Sequence, residues 1–132
     1  MQEVAAILAD APALFLATLG LDGKPHVRPF TNLFVHDNQV YLSTAKRFEG
    51  YAEIVQCPYV ELSAATTDRR WVRIRGKAVF TEDAALKQRV LNQLPNVMKL
   101  FQTVDNPDFA LFYIAEGSAA IMPGKPPRIV TF

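Results

Sequence analysis

Positions 25 to 32 read Pro-His-Val-Arg-Pro-Phe-Thr-Asn. In an extended strand Arg28, Phe30 and Asn32 share one side, which puts a guanidinium fork, an aromatic ring and an amide within about 14 Å. Pro29 has no N–H to give a neighbouring strand, so it marks an edge or a bulge. A ligand can use such a gap; the ordinary alternative is a solvated edge blunted by proline and charge. Ser43-Thr44-Ala45-Lys46-Arg47 falls where a strand should end and a helix begin. Hydroxyls, cations and unpaired helix amides are the parts of a phosphate site, and equally of an N-cap followed by exposed bases. The one dense basic stripe is Arg69, Arg70, Arg73, Arg75 and Lys77, with Trp71 among them. It reads as a stacking platform for single-stranded nucleic acid, as a solvated sheet face, or as cations turned to a phosphate or a partner subunit.

Other chemistries find little support. His26 and His36 lie on one expected strand, about 33 Å apart, too far to share a metal. No clustered carboxylates accompany them, so no metal site is expected. Cys57, the sole cysteine, stands between Gln56 and Pro58 and reads as a packing residue rather than a nucleophile. There is no phosphate-binding glycine loop and no dinucleotide fingerprint. With no acid, base or nucleophile set in view, an enzyme on this chain would draw its reactive atom from a bound cofactor. The catalytic residues are not legible.

Composition narrows the partners. Among 132 residues, 14 basic side chains face 13 acidic ones, for a formal charge of +1. That balance gives no global field for a polyanion, so nucleic acid is not an expected partner. The first residues carry Glu3 and Asp10 without a positive charge, unlike a secretory or mitochondrial signal. Ala11 to Leu21, the most apolar stretch, is about half a membrane span. The expectation is a cytoplasmic protein without a membrane partner.

The elements that must position these residues follow from periodicity. Val4, Ile7, Leu8 and Ala11 recur at helical spacing and stop at Pro12. Ala13 to Leu19 reads as a buried strand, and Asp22-Gly23 as the turn of a hairpin. His26 to His36 alternates as one strand, with Val27, Pro29, Leu33 and Val35 on the core side. Gln39 to Thr44 follows as a strand. Lys46 to Gln56 reads as a helix burying Phe48, Tyr51, Ala52 and Val55. Tyr59 to Ala65 and Trp71 to Thr81 alternate as strands; Val72, Ile74, Ala78 and Phe80 face inward on the second. Thr81-Glu82-Asp83 caps a helix striped by Leu86, Val90, Leu91 and Leu94, interrupted at Pro95 and continued through Met98 and Phe101. Phe109 to Met122 and Arg128 to Phe132 are the last strands. The hairpin-length links make the sheet antiparallel, and so many short strands in a small chain close on themselves to hide their edges. The expected class is α+β, mainly β: a six- to seven-stranded antiparallel barrel with short flanking helices, one domain over 1–132.

The order of motifs then becomes informative. FLATLGLDGKPHVRPF, a strand ending YLST, a helix closing with CPYVELSA, and RWVRIRGKAVF together resemble the small members of the pyridoxamine 5′-phosphate oxidase-like group, the flavin-binding split β-barrels. The likeness is best over residues 13 to 81. It implies a homodimer holding two FMN molecules between subunits, with flavin-mediated hydride or electron transfer to a small-molecule substrate. By the same resemblance the FMN-binding residues are Arg28, Pro29, Phe30, Thr31, Asn32, Ser43, Thr44, Lys46, Arg47 and Trp71. Arg28, Thr44, Lys46 and Arg47 would hold the phosphate, and Phe30, Thr31 and Asn32 would flank the ring. Phe48 stands where many relatives carry a lysine, and the chain finishes RIVTF where true pyridoxamine phosphate oxidases carry a tryptophan and an arginine. The resemblance therefore does not imply the vitamin B6 reaction. The alternative on the same barrel is a non-catalytic protein binding flavin, deazaflavin or haem, with His26 or His36 as the axial ligand in the haem case.

Overall fold

A computed structural model describes all residues, 1–132. Helix α1 (Gln2–Asp10) buries Val4, Ile7 and Leu8, then β1 (Leu14–Leu19) and β2 (Pro25–Phe30) form a hairpin. Gly23 sits at φ 78° in its turn, where glycine alone carries no Cβ penalty. Strands β3 (Leu33–His36) and β4 (Gln39–Ala45), helix α2 (Glu49–Gln56), and strands β5 (Tyr59–Ala65) and β6 (Trp71–Thr81) come next. Helices α3 (Ala84–Gln93) and α4 (Pro95–Phe101) precede β7 (Phe109–Met122) and β8 (Arg128–Thr131). Asp83 caps α3 by accepting from the amides of Ala85 and Leu86, and Pro95 opens α4 at a position where its missing N–H costs nothing.

All pairings are antiparallel, in the order β2-β1-β5-β6-β7-β4-β3, with β8 added to β7. The sheet curls into a half-barrel, an α+β split-barrel fold. Its two outermost strands, β2 and β3, are consecutive in sequence, so the chain between them bridges the open seam.

The core is a cluster of 18 residues inside the curl, including Leu16, Leu42, Leu62, Val72, Ile74, Phe112 and Ile114. A smaller one joins Phe34, Val90, Leu91, Phe101 and Phe109 beneath α3 and α4. At Gly76, beside the β6 bulge, a Cβ would come within 2.5 Å of Ile114 Cγ2, so β6 and β7 can approach there only with glycine.

Three expectations need correction. His26 to His36 is two strands, broken at Thr31–Asn32 where the chain crosses the seam, which raises the strand number to eight. The face of β2 is reversed: Val27 and Pro29 are exposed, while His26 and Arg28 turn inward. Helix α2 starts at Glu49 rather than Lys46 and buries Glu53 and Ile54, leaving Phe48, Ala52 and Val55 exposed. The last two share a cause, since the inward groups of β2 and α2 are charged and neutralise one another.

Candidate functional site

A cleft of about 380 Å³ opens at the seam. Its walls are Leu16 of β1, residues 28 to 32 of β2 and the crossing, Ser43 and Thr44 of β4, Phe48, Glu49, Gly50 and Ile54 around the start of α2, and Leu100 of α4. The seam explains its existence. Asn32 passes close enough to β4 for its carbonyl to accept from Ser43 N at 3.2 Å, yet β2 beyond it has no second neighbour.

Seven of the ten nominated residues line this cleft: Arg28, Pro29, Phe30, Thr31, Asn32, Ser43 and Thr44. The other three are placed apart. Lys46 lies in a polar recess with Glu82, Lys87 and Asp105. Arg47 is paired with Asp108, whose carboxylate also accepts from Arg47 N at 2.9 Å. Its guanidinium nevertheless sits 5.0 Å over the ring of Phe48, a cleft residue, so it flanks the rim. Trp71, at the start of β6 between Ala65 and Met122, is absent from the cleft of its own chain. The basic stripe around it is partly neutralised. Arg73 and Arg75 both reach Glu61, at 3.1 and 3.4 Å, and Arg70 reaches Asp10 at 2.8 Å.

Two polar features were missed. The first is a charged network behind the cleft. Arg28 donates to Glu53 Oε1 at 2.6 Å and to Thr18 Oγ1 at 2.7 Å, and Thr18 donates to the same Oε1 at 2.9 Å. His26 Nδ1 lies 2.5 Å from Glu53 Oε2, while its Nε2 lies 3.2 Å from Asp22. Glu53 is fully buried. Burial pushes its carboxyl pKa upward, but hydrogen bonds from Thr18 and Arg28 and the charges of Arg28 and His26 outweigh it and hold the value below the ordinary range. The His26 pKa is raised, first by its hydrogen bond to Asp22 and then by the charges of Glu53 and Asp22, against desolvation. Arg28 is thus anchored inward as well as exposed to the cleft. The sequence held a signal for this: Glu49 and Glu53 are four apart on α2, and Glu53 sits beside Ile54 at the helix's buried face.

The second feature is Ser43, which is buried and whose Oγ has no hydrogen-bond partner. Native proteins leave few such groups, and a ligand in the cleft is one way to satisfy it. The donor set, with the Arg28 guanidinium, the Asn32 amide and the hydroxyls of Thr31, Ser43 and Thr44 beside Phe30 and Phe48, fits a flat heteroaromatic ring edged by carbonyls and nitrogens. It fits a phosphate less fully, because Glu49 also faces the cleft and Lys46 does not. No histidine lines the cleft: His36 lies on β3, 5.7 Å from the ring of Phe34.

Residues 1–116 match the family model for pyridoxamine 5′-phosphate oxidase. Among solved structures, a NimC/NimA family protein from Clostridium acetobutylicum superposes with a TM-score of 0.87 at 24% identity, covering 100% of this chain and 92% of that one. General Stress Protein 26 from Bacillus anthracis gives 0.79 at 20% identity, covering 99% and 97%. A heme binding protein from Mycobacterium smegmatis gives 0.76 at 19% identity, covering 98% of this chain and 56% of that protein. At these identities the likeness shows the fold. No curated protein matches the sequence. No helix of the chain is long and apolar enough to cross a membrane.

Proposed function

This chain belongs to the pyridoxamine 5′-phosphate oxidase family, and from that premise we propose that it binds FMN in the seam cleft and acts as a flavin-dependent oxidoreductase on a small molecule. The observation that carries the reading is one cleft lined by seven of the residues expected at a flavin, among them a buried serine hydroxyl with no partner. Bound FMN would supply a ring that accepts and returns a hydride or single electrons. The chain's own work is positional. Thr31, Asn32, Ser43 and Thr44 would offer hydrogen bonds to the ring, Phe30 and Phe48 would shield it from water, and Arg28 and Arg47 would offer positive charge to the phosphate. Since Arg28 is already bound to Glu53, it contributes a fixed and partly neutralised charge. The absence of a histidine among the lining residues favours flavin or deazaflavin over haem.

A second copy of the chain completes the site in this reading. Phe15, Leu19, Val27 and Tyr59 are all exposed, at 44 to 68%, on the outer side of β1, β2 and β5. Their register places them on one face, with Phe15 opposite Pro29 and Ala17 opposite Val27. Exposed apolar side chains grouped in this way, with Glu61 and Ser63 among them, suit an interface between two copies that pack here as the dimer.

An absorption spectrum of the purified protein, before and after adding FMN and removing the excess, is the test. The expected result is visible flavin absorbance that stays with the protein at up to one FMN per chain. Protein that carries none and retains none contradicts it.

A further inference from the structure

We propose that His26, Glu49 and Glu53 form a binding site for one divalent transition-metal ion of the zinc class, at the α2 side of the cleft. Ligand atoms of the three residues lie within 4.8 Å of one another. One imidazole nitrogen and two carboxylate oxygens are a donor set that zinc accepts, and three protein ligands leave a fourth position for water or a small ligand. Glu49, which lines the cleft, sets that position beside it. The site does not depend on whether the cleft takes flavin.

The groups around the ligands are arranged as outer-shell partners of a metal site. Asp22 holds His26 at Nε2, 3.2 Å away, which leaves Nδ1 turned to the glutamates. Thr18 and Arg28 both bond Oε1 of Glu53, which fixes the carboxylate and leaves Oε2. That oxygen is buried, and its one polar neighbour is His26 Nδ1, in an ion-pair contact at 2.5 Å. A buried carboxylate oxygen calls for a cation beside it, and a metal ion shared with Nδ1 and Glu49 supplies one as well as an imidazolium does. Charge agrees, for Asp22, Glu49 and Glu53 around the single guanidinium of Arg28 leave two negative charges when His26 is neutral, and one dication cancels them.

The competitor is a proton on His26, whose pKa is raised here. Metal bonds of about 2.1 Å put tetrahedral ligand atoms about 3.4 Å apart, so Nδ1 and Oε2 must separate by about 1 Å to admit the ion. The His26 side chain is 30% exposed and has room to do so.

Titration of tag-free, chelator-treated protein with Zn²⁺ by calorimetry tests the site, with Co²⁺ absorption as a second readout. The expected result is one Zn²⁺ per chain with proton release near neutral pH. His26→Gln and Glu49→Gln should each weaken binding at least about tenfold and remove the visible Co²⁺ bands, and Asp22→Asn should weaken it about tenfold. Glu116→Gln, an exposed acid outside the three ligands and the groups bonded to them, should leave affinity unchanged. Circular dichroism confirms that each variant folds, and exposed Glu49 serves if His26→Gln does not. No saturable Zn²⁺ binding, or an affinity that neither ligand substitution lowers, or one that Glu116→Gln lowers equally, overturns the proposal.

Discussion

Along β6 and β7 the inward side chains are Val72, Ile74, Ala78, Phe112, Ile114 and Ala119, all buried by apolar contact. Across the sheet, on β1, β2 and α2, the inward positions instead include Thr18, His26, Arg28 and Glu53. The first region is held by area removed from water, which is indifferent to direction. The second is held by directed, charge-assisted bonds that cost desolvation and must all be satisfied together. The polar region borders the cleft, and its groups keep fixed orientations where a ligand would approach. The fold thus keeps its apolar core in one half of the sheet and its inward polar network, beside the cleft, in the other.

Substitutions can break that division. Phe112→Ala, at the centre of the apolar half, should cost about 3–5 kcal/mol in urea unfolding and leave the affinity for FMN nearly unchanged if the protein remains folded. Glu53→Ala should cost less, about 1–3 kcal/mol, because Arg28 and His26 are partly exposed and regain water. It should nevertheless lower FMN affinity more than Phe112→Ala does, since Arg28 loses its anchor. A similar affinity loss in both variants would erase the distinction.

The polar half also responds to pH. The folded-state pKa of Glu53 is lowered, so its contribution is complete above the ordinary 4.5 and is lost as pH falls through the folded value. The folded-state pKa of His26 is raised, so its contribution is complete below 6.5 and is lost as pH rises through the folded value. Together they place the network's full strength between pH 4.5 and 6.5. Urea midpoints of wild type should therefore decline on both sides of that window more steeply than those of Glu53→Gln. Parallel curves would show that the network does not stabilise the fold.

The apolar half was legible in the sequence and the polar half was not, for a physical reason. Strands β4 to β7 and helix α3 are marked by hydrophobic periodicity, by the Asp83 cap and by Pro95, all local signals. Strand β2 defeats the same logic because Val27 looks like core and Arg28 like surface, while their roles are exchanged by a partner 25 residues away, Glu53. Helix α2 fails alongside it: the rule that turns Val55 inward has no way to prefer a glutamate. The break at Thr31–Asn32 is a property of sheet closure and leaves no periodic trace. At the cleft, the cluster around Arg28 was readable because its parts are adjacent in sequence. The displacement of Lys46, the pairing of Arg47 with Asp108 and the remoteness of Trp71 depend on tertiary placement.

Ser43 gives the smallest and most telling effect, because stability and binding should move in opposite directions. Its buried hydroxyl has no partner in the protein alone, so Ser43→Ala should leave stability unchanged or raise it by up to about 1 kcal/mol. The direct test of the account is an FMN fluorescence titration of Ser43→Ala beside wild type. Wild type should bind saturably and the variant about tenfold more weakly, the loss of about one ligand hydrogen bond. Equal affinity for the two proteins, or no saturable binding by either, would contradict it.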